Sequence, residues 1–311
     1  MKELSIPLGC LVIVACRQPS SSESPSGRDA VALEQPAPAT PAEATAGLHG
    51  QGTQAPSVRD AKTMPSAMTS EDQATLAPLR DVSWLEPLPL EGGELAYVTP
   101  ALGAREPRPL MVGVHGAGDR PEWACGGWRL AASEYAFVVC PRGLPMGSQR
   151  FAWDAPRTIA ERVRLAIQAV KQRYGTHVAE GPTLYVGFSQ GATLAEAALL
   201  AEPGRFPNVA LAEGGYNLLR DAGFLDRLHG QGTSRLLGIC GSNACFATLR
   251  SAASHVSRAG IEFQVAGDPL SGHNLNQRMQ DALQQAWPNF VRGLPNWAGF
   301  PAYLERRRRS Q

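Results

Sequence analysis

The stretch TLYVGFSQGATLAEAALLAEPG (183–204) contains the most informative pattern in this chain. Its first part is a short apolar run, which is typical of a buried strand. Its second part is rich in alanine and leucine and ends at a proline and a glycine, as many helices do. Between them, GFSQG (187–191) fits G-x-S-x-G, the sharp strand-to-helix turn that exposes a nucleophilic serine. The stretch therefore predicts a strand–turn–helix unit with Ser189 at its apex.

The same alternation continues on both sides of this unit. We predict further strands at 94–99, 109–116, 136–143, 208–215, 235–241 and 261–267, and further helices at 158–175, 245–260 and 274–293. Repeated strand–helix units favour an α/β fold with a mostly parallel sheet that helices cover on both faces. Ligands bind such sheets beyond the carboxyl ends of the strands, which is where the motifs below fall.

The N-terminus is typical of an exported protein. Lys2 precedes an apolar run at 4–15 that is too short to span a bilayer but suits a signal peptide. The run ends in IVAC (13–16), which resembles the bacterial lipobox. This resemblance implies a lipoprotein signal peptide at 1–15, lipidation of Cys16 and a lipid anchor in the cell envelope, at the outer membrane because no aspartate follows the cysteine. An ordinary signal peptide, with Cys16 incidental, is the alternative.

Composition separates the rest of the chain into a tether, a domain and a tail. Residues 16–80 are rich in Ser, Pro, Ala, Thr and Gln, so they cannot bury enough apolar surface to offset their ordering entropy. We predict a disordered tether there, a folded domain at 81–303 and a basic tail at 304–311 that is solvated or weakly attracted to anionic lipid. With a net charge of +1 and no clustered basic surface before this tail, nucleic-acid binding is not expected.

Cysteine usage agrees with export. After loss of Cys10 with the signal peptide and lipidation of Cys16, an even number remains: Cys125, Cys140, Cys240 and Cys245. In an oxidising compartment this favours two disulfides. All three pairings are open, and pairing in chain order closes the smallest loops. A metal site is not expected, because no C-x-x-C pair or neighbouring histidine offers a tetrahedral ligand set.

Candidate catalytic groups follow three of the predicted strands. The N–H of Gln190, directly after Ser189, would face a developing oxyanion. HGAGD (115–119) can present a second donor, the N–H of Ala117, to the same oxyanion. His273 in SGHNL (271–275) follows the last strand, where it would take the Ser189 proton and return it to the leaving group.

HGAGD, GFSQGA and SGHNL together resemble the carboxylesterase/phospholipase group of α/β-hydrolases, which includes acyl-protein thioesterases and exported relatives of polyhydroxyalkanoate depolymerases and feruloyl esterases. The resemblance covers about residues 91–293. It implies the α/β-hydrolase fold, a small-molecule ester or thioester substrate, hydrolysis through an acyl-serine, and no cofactor.

The acid of this family is missing from its usual place. In LLGICGSNACF (236–246), Ala244 stands where the pattern G-x-x-D would place an aspartate. Three residues could replace it: Glu213 at a strand end, where some α/β-hydrolases carry the acid, Asp268 before His273, or Asn243 as a neutral orienting amide. The alternative function is a weak or inactive homologue that serves as a cell-envelope binding protein.

Two further features lie near the carboxyl ends of the strands, where the candidate catalytic groups are predicted. Trp123, Trp128 and Trp153 could bind an acyl or aryl group, or pack in the core. A Cys240–Cys245 bridge would brace the rim of the site.

Overall fold

A computed structural model describes residues 75–310 of the chain. The predicted signal peptide, the lipidation of Cys16 and nearly all of the predicted tether lie outside these residues. Between residues 75 and 310, no helix is both long and apolar enough to cross a membrane.

Eight strands form one twisted layer. In spatial order they are β1 (Glu86–Pro89), β2 (Leu95–Thr99), β4 (Phe137–Pro141), β3 (Leu110–Val114), β7 (Leu184–Phe188), β8 (Asn208–Ala212), β9 (Arg235–Cys240) and β10 (Glu262–Gly267). β2 runs antiparallel to both neighbours, whereas every pair from β4 onward is parallel. A separate hairpin consists of β5 (Leu144–Gly147) and β6 (Arg150–Ala152). This is the strand order of the α/β-hydrolase fold, which confirms the predicted fold class.

Helices cover both faces of the sheet. They are α1 (Pro121–Ala131), α2 (Pro156–Tyr174), α3 (Gln190–Thr193), α4 (Glu196–Leu199), α5 (Ala222–Gly230), α6 (Asn243–Arg258), α7 (Gln277–Phe290) and α8 (Phe300–Arg309). α1, α7 and α8 pack in one apolar cluster, and α2, α4, α5 and α6 pack in the other. Along β3, Val112 and Val114 belong to one cluster while Met111 belongs to the other, because successive strand residues point to opposite faces.

The helix predicted after Ser189 differs from the one observed. Instead of one helix over 192–204, the structure has the two short helices α3 and α4. The Thr193 hydroxyl donates to the Ser189 carbonyl at 2.9 Å. Such a side-chain bond to the preceding turn competes with the regular helical pattern.

The folded domain extends beyond both predicted boundaries. At its start, the Leu76 N–H donates to the Arg105 carbonyl at 2.8 Å, inside the range predicted as tether. At its end, residues 304–309 continue helix α8 instead of forming a separate tail. Arg307, one turn after Tyr303, forms an ion pair with Glu134 at 2.6 Å. This contact and the packing of Phe300 hold the basic segment against the domain.

Candidate active site

Ser189 lies on a strained turn between β7 and α3. Its backbone has φ 52° and ψ −110°, a left-handed conformation that is uncommon for a residue with a Cβ. Its N–H donates to the carbonyl of Ala212, at the end of the next strand, at 2.8 Å. A Cβ on Gly187 would lie 2.6 Å from the carbonyl oxygen of Gly191, and a Cβ on Gly191 would overlap the Val114 carbonyl. Glycine is therefore required on both sides of Ser189, as the G-x-S-x-G pattern predicts.

Gln190 is the first residue of α3, so its N–H has no acceptor within the helix. Its side chain accepts from the Trp153 N–H and donates to the Trp153 carbonyl, both at 2.8 Å. These two bonds fix the serine turn to the segment that follows the β5–β6 hairpin. Because α3 has only four residues, its dipole adds little, and the N–H itself is the group that can stabilise an oxyanion.

The loop at 115–119 lies against the serine turn. A Cβ on Gly116 would lie 3.1 Å from the Cβ of Ser189, so Ala117 stands beside the nucleophile. The Gly118 N–H donates to the Phe151 carbonyl at 2.9 Å, and the Phe151 N–H donates to the Asp119 carbonyl at 3.0 Å. These bonds fix the backbone that follows Ala117, whose N–H is the predicted second oxyanion donor.

His115 is fully buried beneath this loop. Its Nδ1 bonds the Gly116 carbonyl at 2.8 Å, and its Nε2 accepts from the Gly143 N–H at 3.0 Å, which identifies the neutral tautomer with the proton on Nδ1. Burial lowers the pKa of His115, because desolvation disfavours the charged form. The sequence pattern indicates no role for this histidine, and the structure shows that it supports the loop.

This buried histidine predicts a specific pH dependence of stability. The folded state disfavours the protonated imidazole, so the unfolded chain binds the proton more readily once the pH falls below about 6.5. The free energy of unfolding should therefore decrease as the pH falls through that value toward the folded pKa. Urea unfolding at several pH values should show a shallower decrease in His115→Asn than in the parent. Equal slopes in the two proteins would contradict this account of His115.

The structure brings His273 and Glu213 together. His273 lies in the loop after β10, and Glu213 directly follows β8 with a left-handed φ of 51°. The Nδ1 of His273 is 3.4 Å from Oε2 of Glu213. The other carboxylate oxygen, Oε1, accepts from the Gly241 N–H. The Glu213 side chain is only 7% exposed, whereas the imidazole is 55% exposed and open to the surface.

The other two acid candidates have different partners. Asp268 accepts from the Leu270 N–H at 2.8 Å and so stabilises its own turn. Asn243 is an exposed residue at the start of α6, next to the helix cap Ser242. Of the three candidates, Glu213 is the one whose side chain contacts His273.

Ser189, His273 and Ala117 line one cavity of about 630 Å³. Its apolar walls include Leu130, Phe188 and Leu275. The centroid of the Phe188 ring lies 4.9 Å from the centroid of the His273 imidazole, so Phe188 limits the positions that the imidazole can take. Within residues 75–310, the hydrogen bond of the His273 side chain is to Glu213 and not to Ser189. A larger cavity, of about 790 Å³, lies near the amino end of β3, and none of the predicted site residues line it.

The three tryptophans of interest separate into two groups. Trp128 and Trp153 are 0% and 3% exposed, so they pack in the core and do not bind ligand from solvent. Trp123 is 52% exposed and lines the same cavity as Ser189. The guanidinium of Arg150 lies 4.7 Å from its ring.

The four cysteines of the domain are paired in chain order. Cys125 and Cys140 have Cα atoms 5.7 Å apart, and Cys240 and Cys245 have Cα atoms 5.5 Å apart. The two sulfurs of the second pair and a carboxylate oxygen of Glu213 all lie within 4.8 Å of one another. Since the sulfurs are bonded to each other, these groups are not a metal-ligand set in the oxidised protein.

Comparison with known proteins gives structural neighbours only. No family model matches the chain, and no curated protein sequence is similar to it. A ferulic acid esterase shares 14% identity, with 67% of this chain and 96% of the other covered and a TM-score of 0.49. A carboxylesterase from Mesorhizobium loti shares 20% identity, with 65% and 99% covered and a TM-score of 0.46. A dienelactone hydrolase-like promiscuous phosphotriesterase from metagenomic libraries shares 17% identity, with 66% and 94% covered and a TM-score of 0.46. At these identities and TM-scores, the likenesses carry no conclusion about the reaction.

Proposed function

We propose that this chain is a serine hydrolase that cleaves carboxylic esters or thioesters through an acyl-serine intermediate. One observation carries the proposal. Ser189, on a strained turn, lines the same cavity as His273, whose Nδ1 faces the buried carboxylate of Glu213. Backbone strain of this kind concentrates at functional sites, and the three groups have the types that nucleophilic catalysis needs.

In the first half-reaction, the Ser189 hydroxyl oxygen attacks the substrate carbonyl carbon. His273 takes the hydroxyl proton on Nε2, because Nδ1 faces Glu213. The carboxylate of Glu213 keeps the proton on Nδ1 and stabilises the imidazolium that forms. The imidazolium then gives its proton to the departing alcohol or thiol, which leaves the acyl group on Ser189. In the second half-reaction, water attacks this acyl-serine with His273 again as base. The bond between the acyl carbon and the Ser189 oxygen then breaks, the imidazolium returns its proton to that oxygen, and the free acid leaves.

The tetrahedral intermediate of each step carries a negative oxygen. The N–H groups of Gln190 and Ala117 are the proposed donors to it. Both are held in advance, Gln190 by its two bonds to Trp153 and Ala117 by the fixed residues on either side of it. Donors that need no rearrangement during the reaction are the most effective at stabilising such charge.

The cavity favours a substrate with an apolar acyl or aryl group. Leu130, Phe188 and Leu275 supply aliphatic and aromatic surface around Ser189, and the exposed ring of Trp123 extends it toward solvent. Burial of a substrate chain against this surface would stabilise the complex by the hydrophobic effect.

Trp123→Ala should raise KM for a long-chain or aryl ester about tenfold, because the lost contact is worth roughly 1–2 kcal/mol. KM for an acetyl ester should change little, since a short acyl group does not reach the ring. Steady-state kinetics on both esters measures this. Trp84→Ala is the matched control, because Trp84 is also 52% exposed but does not line the cavity. Equal effects of the two substitutions would contradict a binding role for Trp123.

A panel of chromogenic esters and acyl thioesters with increasing chain length tests the function itself. We expect turnover that saturates with substrate concentration. We also expect kcat/KM to be highest for one range of acyl chain lengths within the panel. Protein that binds the apolar esters without hydrolysing any of them would instead support the alternative, a binding protein of the cell envelope.

The location in the cell is a separate proposal. We infer export and anchoring by lipid at Cys16 from the N-terminal sequence. The two disulfides support an oxidising compartment.

A further inference from the structure

We propose that the Cys240–Cys245 disulfide positions the Glu213–His273 pair, so that cleavage of this one bridge lowers turnover while the domain stays folded. The inference rests on the proposed function. It gives a physical role to the segment at 240–245, where the aspartate typical of the family is absent.

Gly241 is the residue that joins the acid and the base. Its N–H donates to Oε1 of Glu213. Its carbonyl accepts from the N–H of Gly272 at 2.8 Å, and Gly272 directly precedes His273. The place of the carboxylate and the place of the histidine loop therefore both depend on the backbone of Gly241.

The backbone of Gly241 is closely packed on the side of the histidine loop. A Cβ on Gly241 would overlap the Gly272 carbonyl, and a Cβ on Gly267 would overlap the Cys240 carbonyl. β9 ends at Cys240, so Gly241 is beyond the regular ladder of the sheet. The Cys240–Cys245 bridge holds Gly241 from the other side, because it connects Cys240 to the first turn of α6.

The bridge also lies close to the acid. Both sulfurs lie within 4.8 Å of a Glu213 carboxylate oxygen, and Glu213 is buried there. The contact between Glu213 and His273 is 3.4 Å long, at the upper end of the hydrogen-bond range. A small displacement of Gly241 or of the carboxylate would therefore break it. Misplacement of a catalytic group by about 1 Å can lower a rate about 100-fold.

Cys240→Ala/Cys245→Ala should lower kcat for a good ester substrate about 10- to 100-fold, with KM within about twofold of the parent. Cys125→Ala/Cys140→Ala is the matched control, and its kcat should stay within about threefold. The control bridge spans 15 residues and the tested bridge spans 5. A bridge that closes a longer loop restricts the unfolded chain more, so removal of the control bridge should cost more stability. A fall in kcat specific to the shorter bridge thus cannot come from general destabilisation.

A double-mutant cycle separates positioning from a purely structural role. In a Glu213→Gln background, removal of the Cys240–Cys245 bridge should lower kcat by a smaller factor than in the parent, because the carboxylate that the bridge helps to position is already absent. Additive losses, or a kcat close to that of the parent after removal of the bridge, would overturn the inference. An inactive parent would instead reject the proposed function, so the two failures are distinguishable.

Chemical reduction provides a test that does not depend on folding of the Cys240→Ala/Cys245→Ala variant. In Cys125→Ala/Cys140→Ala, a trialkylphosphine and water convert the remaining bridge to two thiols, the phosphorus taking the oxygen and supplying the two electrons. Activity should fall by the same factor, with the circular dichroism spectrum unchanged, and should return on reoxidation. Full activity of the reduced, folded protein would overturn the proposal.

Discussion

Ser189→Ala is expected to lower kcat for ester hydrolysis by about 10⁴- to 10⁶-fold. The substitution removes the oxygen that forms the acyl intermediate. The remaining rate would come from the oxyanion donors and from binding alone. Alanine retains a Cβ, so the strained turn at φ 52° should be preserved and the fold should be unaffected.

Initial rates measured across substrate concentrations would quantify this loss. Ser254→Ala, at an exposed position on α6, is the matched control and should retain the activity of the parent. Circular dichroism of both variants should match the parent. A Ser189→Ala protein with more than about one-tenth of the parent kcat would exclude Ser189 as the nucleophile.

Glu213→Gln should lower kcat by about 10³- to 10⁴-fold. The amide has nearly the shape of the carboxylate, and its oxygen can still accept from the Gly241 N–H. Its NH₂ would then face Nδ1 of His273, so the imidazole would have to keep its lone pair on that nitrogen and its proton on Nε2. In that tautomer Nε2 cannot take the Ser189 proton, and the charge of the imidazolium has no partner.

The same kinetics on Asp268→Asn provide the control for this prediction. Asp268 accepts from the Leu270 N–H and has no contact with His273, so this variant should keep kcat within about threefold of the parent. A large loss in Asp268→Asn with near-normal turnover in Glu213→Gln would transfer the role of the acid to Asp268.

The serine turn could be predicted from sequence because its constraints are local. Gly187 and Gly191 are required by contacts within the turn and with β3, so the constraint is visible in the sequence as two glycines. The alternation of apolar runs and amphipathic segments likewise predicted the parallel strands and most of the helices that cover them.

The acid could not be assigned from sequence, because its place depends on which strands are neighbours. Glu213 follows β8 and His273 follows β10, and both reach the end of β9, which lies between them. Neither this order nor the left-handed backbone of a glutamate can be deduced from local composition. The adjacent Gly214–Gly215 pair indicates a sharp turn but not its direction.

Three helices, α1, α5 and α8, were missed, and α1 and α8 show two different reasons. α1 contains Gly126 and Gly127, which have low helix propensity, and tertiary packing of Trp128 overrides that preference. α8 carries four arginines in its last turn, a pattern that favours a disordered tail. The Arg307–Glu134 ion pair and the tilted contact of the Tyr303 ring with the Tyr135 ring, with ring centroids 5.1 Å apart, stabilise it as a helix.

The central claim is that Ser189 is an activated nucleophile, and covalent labelling with a fluorophosphonate probe tests it most directly. We expect the parent protein to carry a single adduct, which peptide mass spectrometry should locate on Ser189, and we expect no adduct on Ser189→Ala. Folded parent protein that remains unlabelled at high probe concentration, or that carries the adduct on another serine, would contradict it.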